Sequence, residues 1–346
     1  MNNPRPQIKY SHSTLTDRLL GPSNNFAAAG PAELPWSCAI YSVVNWLVAF
    51  ADVEGIQIMC LKVLPYLLED ENQRTIAQRA GLTDLVLRSM LLFPSSVALH
   101  TASFHTLVLL ARPLGGREGM LFHVAMLNTS GILCSKSGIA VMLDSMKRFA
   151  DYEVLQAMAC WSLVNIALIP AQKKVLVSLG GISAAANAMM KHPLNPDVQF
   201  RALFSLINLV IPSNSQLDNI PADAQIMDTG VQSERELLDE SVLQISNLVV
   251  LAMRNFCSSE AILNRACLVL HNLSLNEEYH RTLLFTPHCY QMLEWCIANY
   301  RNDNVLQQSA GGTLQRLQLS LASDDMLRSH FAETMRSQEF SGSAHS

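Results

Sequence analysis

The sequence has little charge. Asp, Glu, Lys and Arg make up 15% of its 346 residues, whereas hydrophobic residues make up 49%. A chain with this apolar content can bury a large core, which excludes disorder of the whole chain. No basic run is longer than a pair such as Lys173-Lys174, and the net charge is −5. Because binding to nucleic-acid phosphates needs clustered Lys and Arg, we expect no nucleic-acid partner.

Paired cysteines and long hydrophobic runs are also lacking. The eight cysteines lie singly, without a Cys-x-x-Cys pair, and most occur in apolar helical sequence. Buried free cysteine behaves as a small hydrophobic residue, so we expect reduced thiols and a cytoplasmic or nuclear location. The most apolar run, Ala39 to Ala51, is shorter than the roughly 20 residues of a membrane helix. We therefore predict no stable membrane insertion.

Motifs for metal binding and catalysis are lacking as well. The histidines show no His-x-x-x-His spacing, and the closest pattern, His288-Cys289 with Cys296, is typical of packing on an apolar helix. The glycine-rich segment 115–119 has no following Lys-Ser and is interpreted as a connector rather than a phosphate loop. No Gly-x-Ser-x-Gly elbow occurs. The sequence thus predicts no catalytic residue, no metal and no cofactor.

An internal repeat is what the sequence does contain. Segments beginning at Leu155 and, 43 residues later, at Val198 carry Gln, Ala, Leu and Asn at the same offsets. Weaker copies begin at Ile262 and Leu306, and in the last copy Arg316 replaces the Asn. The Ala, the Leu and the final apolar residue lie at i, i+4 and i+7, which is one face of a helix. The Ala must be small because a neighbouring helix crosses there.

A second element repeats with the same period. Gly138 and Gly181 are each followed by Ile and, eight residues after the Gly, by Met, and Gly81 begins a looser copy. We expect this Gly to permit a tight turn at the start of a helix. Near the beginning, residues 36–46 resemble the first element through Asn45. Since one such unit cannot bury its own apolar face, the units must stack.

These motifs resemble armadillo repeats. The segment Ala159–Ala167 is similar to the third helix of an armadillo unit, and the resemblance is good over residues 130–320, weak over 36–129 and absent from both ends. HEAT repeats are the nearest alternative, but they have two helices and lack the Gly-Ile start. The resemblance implies an all-α fold, an armadillo-type α-solenoid in which stacked helical repeats form a right-handed superhelix.

The spacing also predicts the organisation of the chain. Ala202 and Ala266 are 64 residues apart instead of 43, so about 21 extra residues lie between them, in a stretch rich in Asp and Glu. The predicted parts are a flexible N-terminal arm at 1–30, divergent helical repeats forming an N-terminal cap at 31–129, armadillo repeats at 130–322 with an acidic loop insertion at 212–240, a C-terminal capping helix at 323–336 and a disordered tail at 337–346.

The resemblance also implies a binding site. In armadillo adaptors that carry cargo into the nucleus, Asn and Trp side chains of third helices line the concave groove. The Asn amide holds the backbone of an extended peptide, and the Trp face attracts lysine stems. The matching partner-binding candidates here are Trp161, Asn165, Phe204, Asn208 and Asn272. The alternative is that these Asn side chains cap or pin neighbouring helices.

The predicted function is therefore that of a non-catalytic scaffold or adaptor that recognises partner proteins or extended peptides on its concave face. One alternative is the binding of nuclear import cargo. This would require Trp in consecutive units and a basic N-terminal arm, whereas residues 1–30 contain only Arg5, Lys9 and Arg18. The other alternative is an enzyme or a regulatory module of an enzyme complex. The sequence does not predict the partner's identity or the oligomeric state.

Overall fold

All regular elements of the described residues are helices. The computed structural model describes residues 34–112, 125–127, 137–211 and 234–342, and no strand occurs in those ranges. The all-α prediction is thus confirmed. The helices are α1 Leu34–Ala49, α2 Glu54–Leu67, α3 Glu71–Arg79, α4 Leu82–Leu92, α5 Val97–Leu110, α6 Gly138–Arg148, α7 Glu153–Ile166, α8 Pro170–Ser178, α9 Gly181–Lys191, α10 Pro196–Leu209, α11 Glu234–Asn255, α12 Glu260–Leu273, a 3-10 turn Glu277–Tyr279, α13 His280–Phe285, α14 Cys289–Asn299, α15 Asn304–Ser323 and α16 Asp325–Gly342.

Six of these helices form a continuous row because each packs against the next: α2, α5, α7, α10, α12 and α15. We call them the row helices. All six bury a small seventh residue and a Leu as the eleventh residue. The small residues are Cys60, Ser103, Ala159, Ala202, Ala266 and Ala310, and the leucines are Leu64, Leu107, Leu163, Leu206, Leu270 and Leu314. Small side chains let neighbouring helices approach closely, and the leucines fill the space between them.

The fourth residue fixes each of five row helices to the helix before it. Gln156 Nε2 donates to the carbonyl oxygens of Met146, at 2.8 Å, and Phe149, at 3.0 Å, where helix α6 ends. The last carbonyls of a helix have no partner within the helix, so a buried amide that binds them removes a desolvation cost. Bonds to the carbonyls ten and seven residues earlier are also made by Gln57, Gln199 and Gln307.

Helix α5 makes this contact with a histidine instead. His100 is 1% exposed, and its Nε2 lies 3.1 Å from the carbonyl oxygen of Met90, again ten residues earlier. Its Nδ1 lies 2.7 Å from the Ser145 hydroxyl. We refer to Gln57, His100, Gln156, Gln199 and Gln307 as the junction clamps. In α12 the fourth residue is the buried Leu263.

The junction clamps correct the alignment of the first repeats. Residues 36–46, including Asn45, belong to α1, and the clamp of Gln57 binds the end of that helix. The predicted equivalence of this segment with a row helix is therefore wrong, and the first row helix is α2. The motif does not predict α5 as a row helix, because His100 and Ser103 replace its Gln and Ala.

Gly81 makes the expected turn, with a φ of 72°, whereas Gly138 and Gly181 act by close packing. A Cβ on Gly181 would lie 2.6 Å from the Leu176 side chain and 2.8 Å from the Leu176 carbonyl oxygen. The turn is made by the preceding residue, Gly180, whose φ of 92° favours glycine. His288 adopts the same left-handed conformation before α14, with φ 62°.

Two predicted boundaries differ from the structure. Helix α11 begins at Glu234, inside the acidic loop predicted at 212–240, because the acidic residues there alternate with apolar ones such as the buried Leu238. The final helix runs from Asp325 to Gly342, past the predicted cap at 323–336 and into the predicted tail. The predicted arm at 1–30 and residues 212–233 lie outside the described residues.

The clamp of His100 makes the stability depend on pH. Burial lowers the pKa of His100 from 6.5 to about 4, since burial disfavours the charged imidazolium. Between these two pH values the unfolded chain binds the proton and the folded chain does not. Stability therefore falls as the pH falls from 6.5 towards 4, by about 3 kcal/mol for this group.

We expect His100→Gln to remove this loss, because glutamine makes the same contact in the other clamps and carries no proton. Urea unfolding at pH 6.5 and pH 4 should show a smaller loss of unfolding free energy for His100→Gln than for the wild type. His330→Gln changes an exposed histidine and should follow the wild type. Equal losses for His100→Gln and the wild type would contradict this assignment.

Candidate functional site

The predicted site residues lie on three adjacent row helices. Trp161 and Phe204 are the ninth residues of α7 and α10, and Asn165, Asn208 and Asn272 are the thirteenth residues of α7, α10 and α12. Trp161 is 37% exposed, and the other four are half-buried. They therefore share the side of the row that faces away from the buried seventh and eleventh residues. We call this side, formed by the fifth, sixth, ninth and thirteenth residues of the row helices, the row face.

Two of the three asparagines pin neighbouring row helices. Asn165 Nδ2 donates to the carbonyl oxygen of Val108 at 3.2 Å, and Asn272 Nδ2 donates to that of Ile207 at 2.9 Å. Each acceptor is the twelfth residue of the preceding row helix, close to its end. Asn208 makes no side-chain hydrogen bond to another described residue. The pinning role thus accounts for one amide hydrogen each of Asn165 and Asn272, and their side-chain oxygens accept no hydrogen bond from the described residues.

The face of Trp161 is occupied by an arginine of the same chain. Arg201, the sixth residue of α10, places its guanidinium carbon 4.6 Å from the centre of the Trp161 ring. Its Nη1 also lies 3.0 Å from Met158 Sδ. A guanidinium over an indole face is attracted by the electron density of the ring. The slot that the resemblance assigns to a lysine stem of the partner therefore already contains a cation.

The same arrangement recurs one helix further along the row. Arg265, the sixth residue of α12, lies 4.8 Å from the ring centre of Phe204 and 5.5 Å from that of Phe200. The two phenylalanine rings contact each other edge to face, with centres 6.3 Å apart. Arg265 Nη1 donates to the side-chain oxygen of Asn264 at 2.9 Å. We refer to these two contacts, Arg201 on Trp161 and Arg265 on Phe204, as the arginine stacks.

The charged side chains of the row face are positive. They are Lys62, Arg201, Arg265 and Arg316, on α2, α10, α12 and α15. Acidic residues of the row helices occur only within their first two positions, at Glu54, Glu153, Asp197 and Glu260. No described carboxylate lies within 4.0 Å of the three arginines. The repeat pattern could have revealed this feature, because Arg201 and Arg265 both stand directly before the motif Ala.

Two histidines near these cations hold little charge at neutral pH. Burial, and then the nearby charge of Arg316, lowers the pKa of His271, and Arg316 Nη1 lies 3.4 Å from His271 Nδ1. Burial and the charge of Arg201 lower the pKa of His105 in the same way. The positive charge of the row face therefore belongs to its Lys and Arg side chains.

No model of a known protein family matches the chain, and no curated protein matches it.

The three cysteines that come closest to forming a metal-binding or reactive-thiol site are part of the core. Cys267, Cys289 and Cys296 are fully buried. A hydrogen bond with Cys296 raises the pKa of Cys267, and burial raises the pKa of Cys289 to about 12, so both thiols stay protonated. Within the described ranges, no three His, Cys, Asp or Glu side chains are grouped to hold a metal ion.

The remaining sequence-level candidates add no site. Segment 115–119, interpreted as a connector, lies outside the described residues, and so does Cys134. The other seven cysteines are free thiols. Among the described helices, none combines the length and the apolar character needed to cross a membrane.

Asn272 and Asn208 offer a matched test of the pinning role. Asn272→Asp keeps the side-chain shape but removes the donor and sets a carboxylate oxygen against the Ile207 carbonyl. We expect a loss of about 1–3 kcal/mol in unfolding free energy. Asn208→Asp, at the same helix position without that bond, should cost about 1 kcal/mol or less. Chemical denaturation at neutral pH measures both variants, and equal costs would refute the pinning role of Asn272.

Proposed function

We propose that this protein is a non-catalytic scaffold of the armadillo-solenoid type and that it binds partner proteins or extended peptide segments on the row face. The observation that carries the proposal is a continuous row of six helices whose outward positions hold aromatic, amide and arginine side chains. The seventh and eleventh residues of these helices are buried in the core, whereas Trp161 on the row face is 37% exposed. In the proposed right-handed superhelix, the row face would be the concave surface.

The chemistry of the row face suits the backbone and side chains of a peptide. The Asn208 amide offers both a donor and an acceptor, as a peptide unit requires. The side-chain oxygens of Asn165 and Asn272 can accept from peptide N–H groups while their nitrogens hold the neighbouring helix. Large aromatic side chains such as Trp161 and Phe204 are typical anchors of protein interfaces. We place these partners in the cytoplasm or nucleus, in keeping with the free thiols.

The arginine stacks count against the import-adaptor alternative. A basic import signal would have to displace Arg201 from Trp161, or approach it against charge repulsion. The same holds for Arg265 on Phe204. We therefore favour a scaffold whose partner is not a lysine-rich signal.

Affinity capture from cell lysate, with quantitative mass spectrometry, tests the proposal. We expect the double variant Trp161→Ala with Phe204→Ala to lose a set of partners that the wild type retains, because each truncated anchor weakens binding by about 2 kcal/mol or more. The matched control is Trp295→Ala, which removes a tryptophan that is 36% exposed on α14, outside the row.

Circular dichroism must show unchanged helix content for the double variant. Retention of every partner by the folded double variant would contradict the proposal. Equal loss of partners in Trp295→Ala would contradict it too, because recognition would then not belong to the row face. Unfolding of the double variant would show that the two rings are core residues.

A further inference from the structure

Stacking leaves the hydrogen-bonding edges of the two arginines available. The aromatic ring covers one flat side of each guanidinium, whereas the N–H groups point outward within its plane. In contacts to other side chains, Arg201 reaches Met158 Sδ through Nη1, and Arg265 reaches Asn264 through Nη1. The Nε of Arg265 is buried, so its terminal Nη1 and Nη2 groups are the donors left for a ligand. An arginine held in this way is preorganised to receive a carboxylate through two parallel hydrogen bonds.

The distribution of charge favours an anionic ligand on this surface. The whole chain carries a net charge of −5, yet the fifth, sixth, ninth and thirteenth residues of the row helices include Lys62, Arg201, Arg265 and Arg316 and no acidic residue. The exposed Asp197 lies on the same side, at the start of α10. A positive strip on a negative protein attracts an acidic segment to the strip alone.

We propose that the row face binds an acidic peptide segment of a partner protein, with the edges of Arg201 and Arg265 receiving its carboxylates while the rings of Trp161 and Phe204 hold the two guanidiniums in place. This inference rests on the proposed function and names the class of partner.

The spacing of the row helices predicts the spacing of the acidic residues. Neighbouring packed helices are about 8–10 Å apart. A peptide in the polyproline II conformation advances about 3.1 Å per residue with three residues per turn, so every third side chain faces the same way. Arg201 and Arg265 are both sixth residues of successive row helices, so they lie side by side across the row. A peptide that crosses the helices therefore presents a carboxylate to each arginine when Glu or Asp occurs at every third residue.

Nucleic acid fits the same surface less well. Proteins that bind single strands stack the bases on exposed aromatic rings and track the phosphates with clustered cations. Here guanidiniums already cover faces of Trp161 and Phe204, and each cation of the row face stands alone on its helix.

The test uses the full-length protein and three fluorescent peptides of about 12 residues, long enough to cross the four row helices α7, α10, α12 and α15 at the spacing above. The peptides carry Glu, Gln or Lys at every third position and are otherwise identical. Fluorescence anisotropy should show binding of the Glu peptide, weakened by added salt, and at least tenfold weaker binding of the Gln and Lys peptides.

Variants locate the binding site. In Arg201→Gln with Arg265→Gln, the affinity for the Glu peptide should fall at least tenfold. The matched control, Arg301→Gln with Arg328→Gln, removes two exposed arginines outside the row face and should bind like the wild type. Arg201→Lys keeps the charge but loses the paired hydrogen bonds, so its affinity should lie between those of the wild type and the double variant. This single variant gives a readout should the double variant lose its fold.

Several outcomes would overturn the acidic-peptide proposal. One is that the Gln or Lys peptide binds as tightly as the Glu peptide. Another is that the Arg201 and Arg265 changes leave binding of the Glu peptide intact. A third is that a thymidine oligonucleotide of equal charge binds more tightly than the Glu peptide and displaces it. A fourth is that the Glu peptide binds only after Asp218, Asp223 and Asp228 are changed to Asn, which would assign the surface to the chain's own acidic segment.

A selection separates this proposal from the proposed function. Peptides selected from a random library on the full-length protein should be acidic and should lose binding in Trp161→Ala. Neutral or basic peptides that depend on Trp161 would uphold the row face as a binding surface and overturn only the acidic partner. Selected peptides that ignore both Trp161→Ala and the arginine changes would overturn the proposed function itself.

Discussion

The buried contact between a row helix and the end of the helix before it sets the geometry on which the rest depends. In each junction clamp one side chain, such as Gln156, reaches the terminal carbonyls of the preceding helix and thereby fixes the angle at which the chain turns back. With the angle fixed, the small seventh residue and the Leu at position eleven meet the neighbouring row helix in the same way each time. Consequently the ninth and thirteenth residues of α7 and α10, Trp161, Asn165, Phe204 and Asn208, lie on the row face.

On that surface, contacts between successive row helices decide the chemistry. Asn165 and Asn272 bond α7 to α5 and α12 to α10. Arg201 and Arg265 lie over aromatic rings of the preceding row helix. A surface that carries aromatic rings alone would attract cations. Once guanidiniums cover those rings, it offers positive, directional donors instead, and its preference changes from basic to acidic segments.

The sequence predicted the helical repeat but not these contacts. The copies containing Ala202 and Leu206 were found because their pattern depends only on neighbours within one helix. Helix α5 was missed because His100 supplies the clamp with different chemistry, and α1 was mistaken for a row helix because both kinds of helix are apolar. The arginine stacks and the bonds of the asparagines join residues tens of positions apart on different helices. No local pattern encodes such pairs, so they required the packed structure.

If partners are recognised on the row face, site-specific photocrosslinking should capture them there. A photoreactive phenylalanine analogue would replace His105 and Leu268, the ninth residues of α5 and α12, in separate full-length variants. The controls would place it at Leu179 and Leu194, which are exposed outside the row helices. We expect irradiation in lysate to link partners at His105 and Leu268 but not at the controls. Partners linked at Leu179 or Leu194 and absent from the row positions would contradict this expectation.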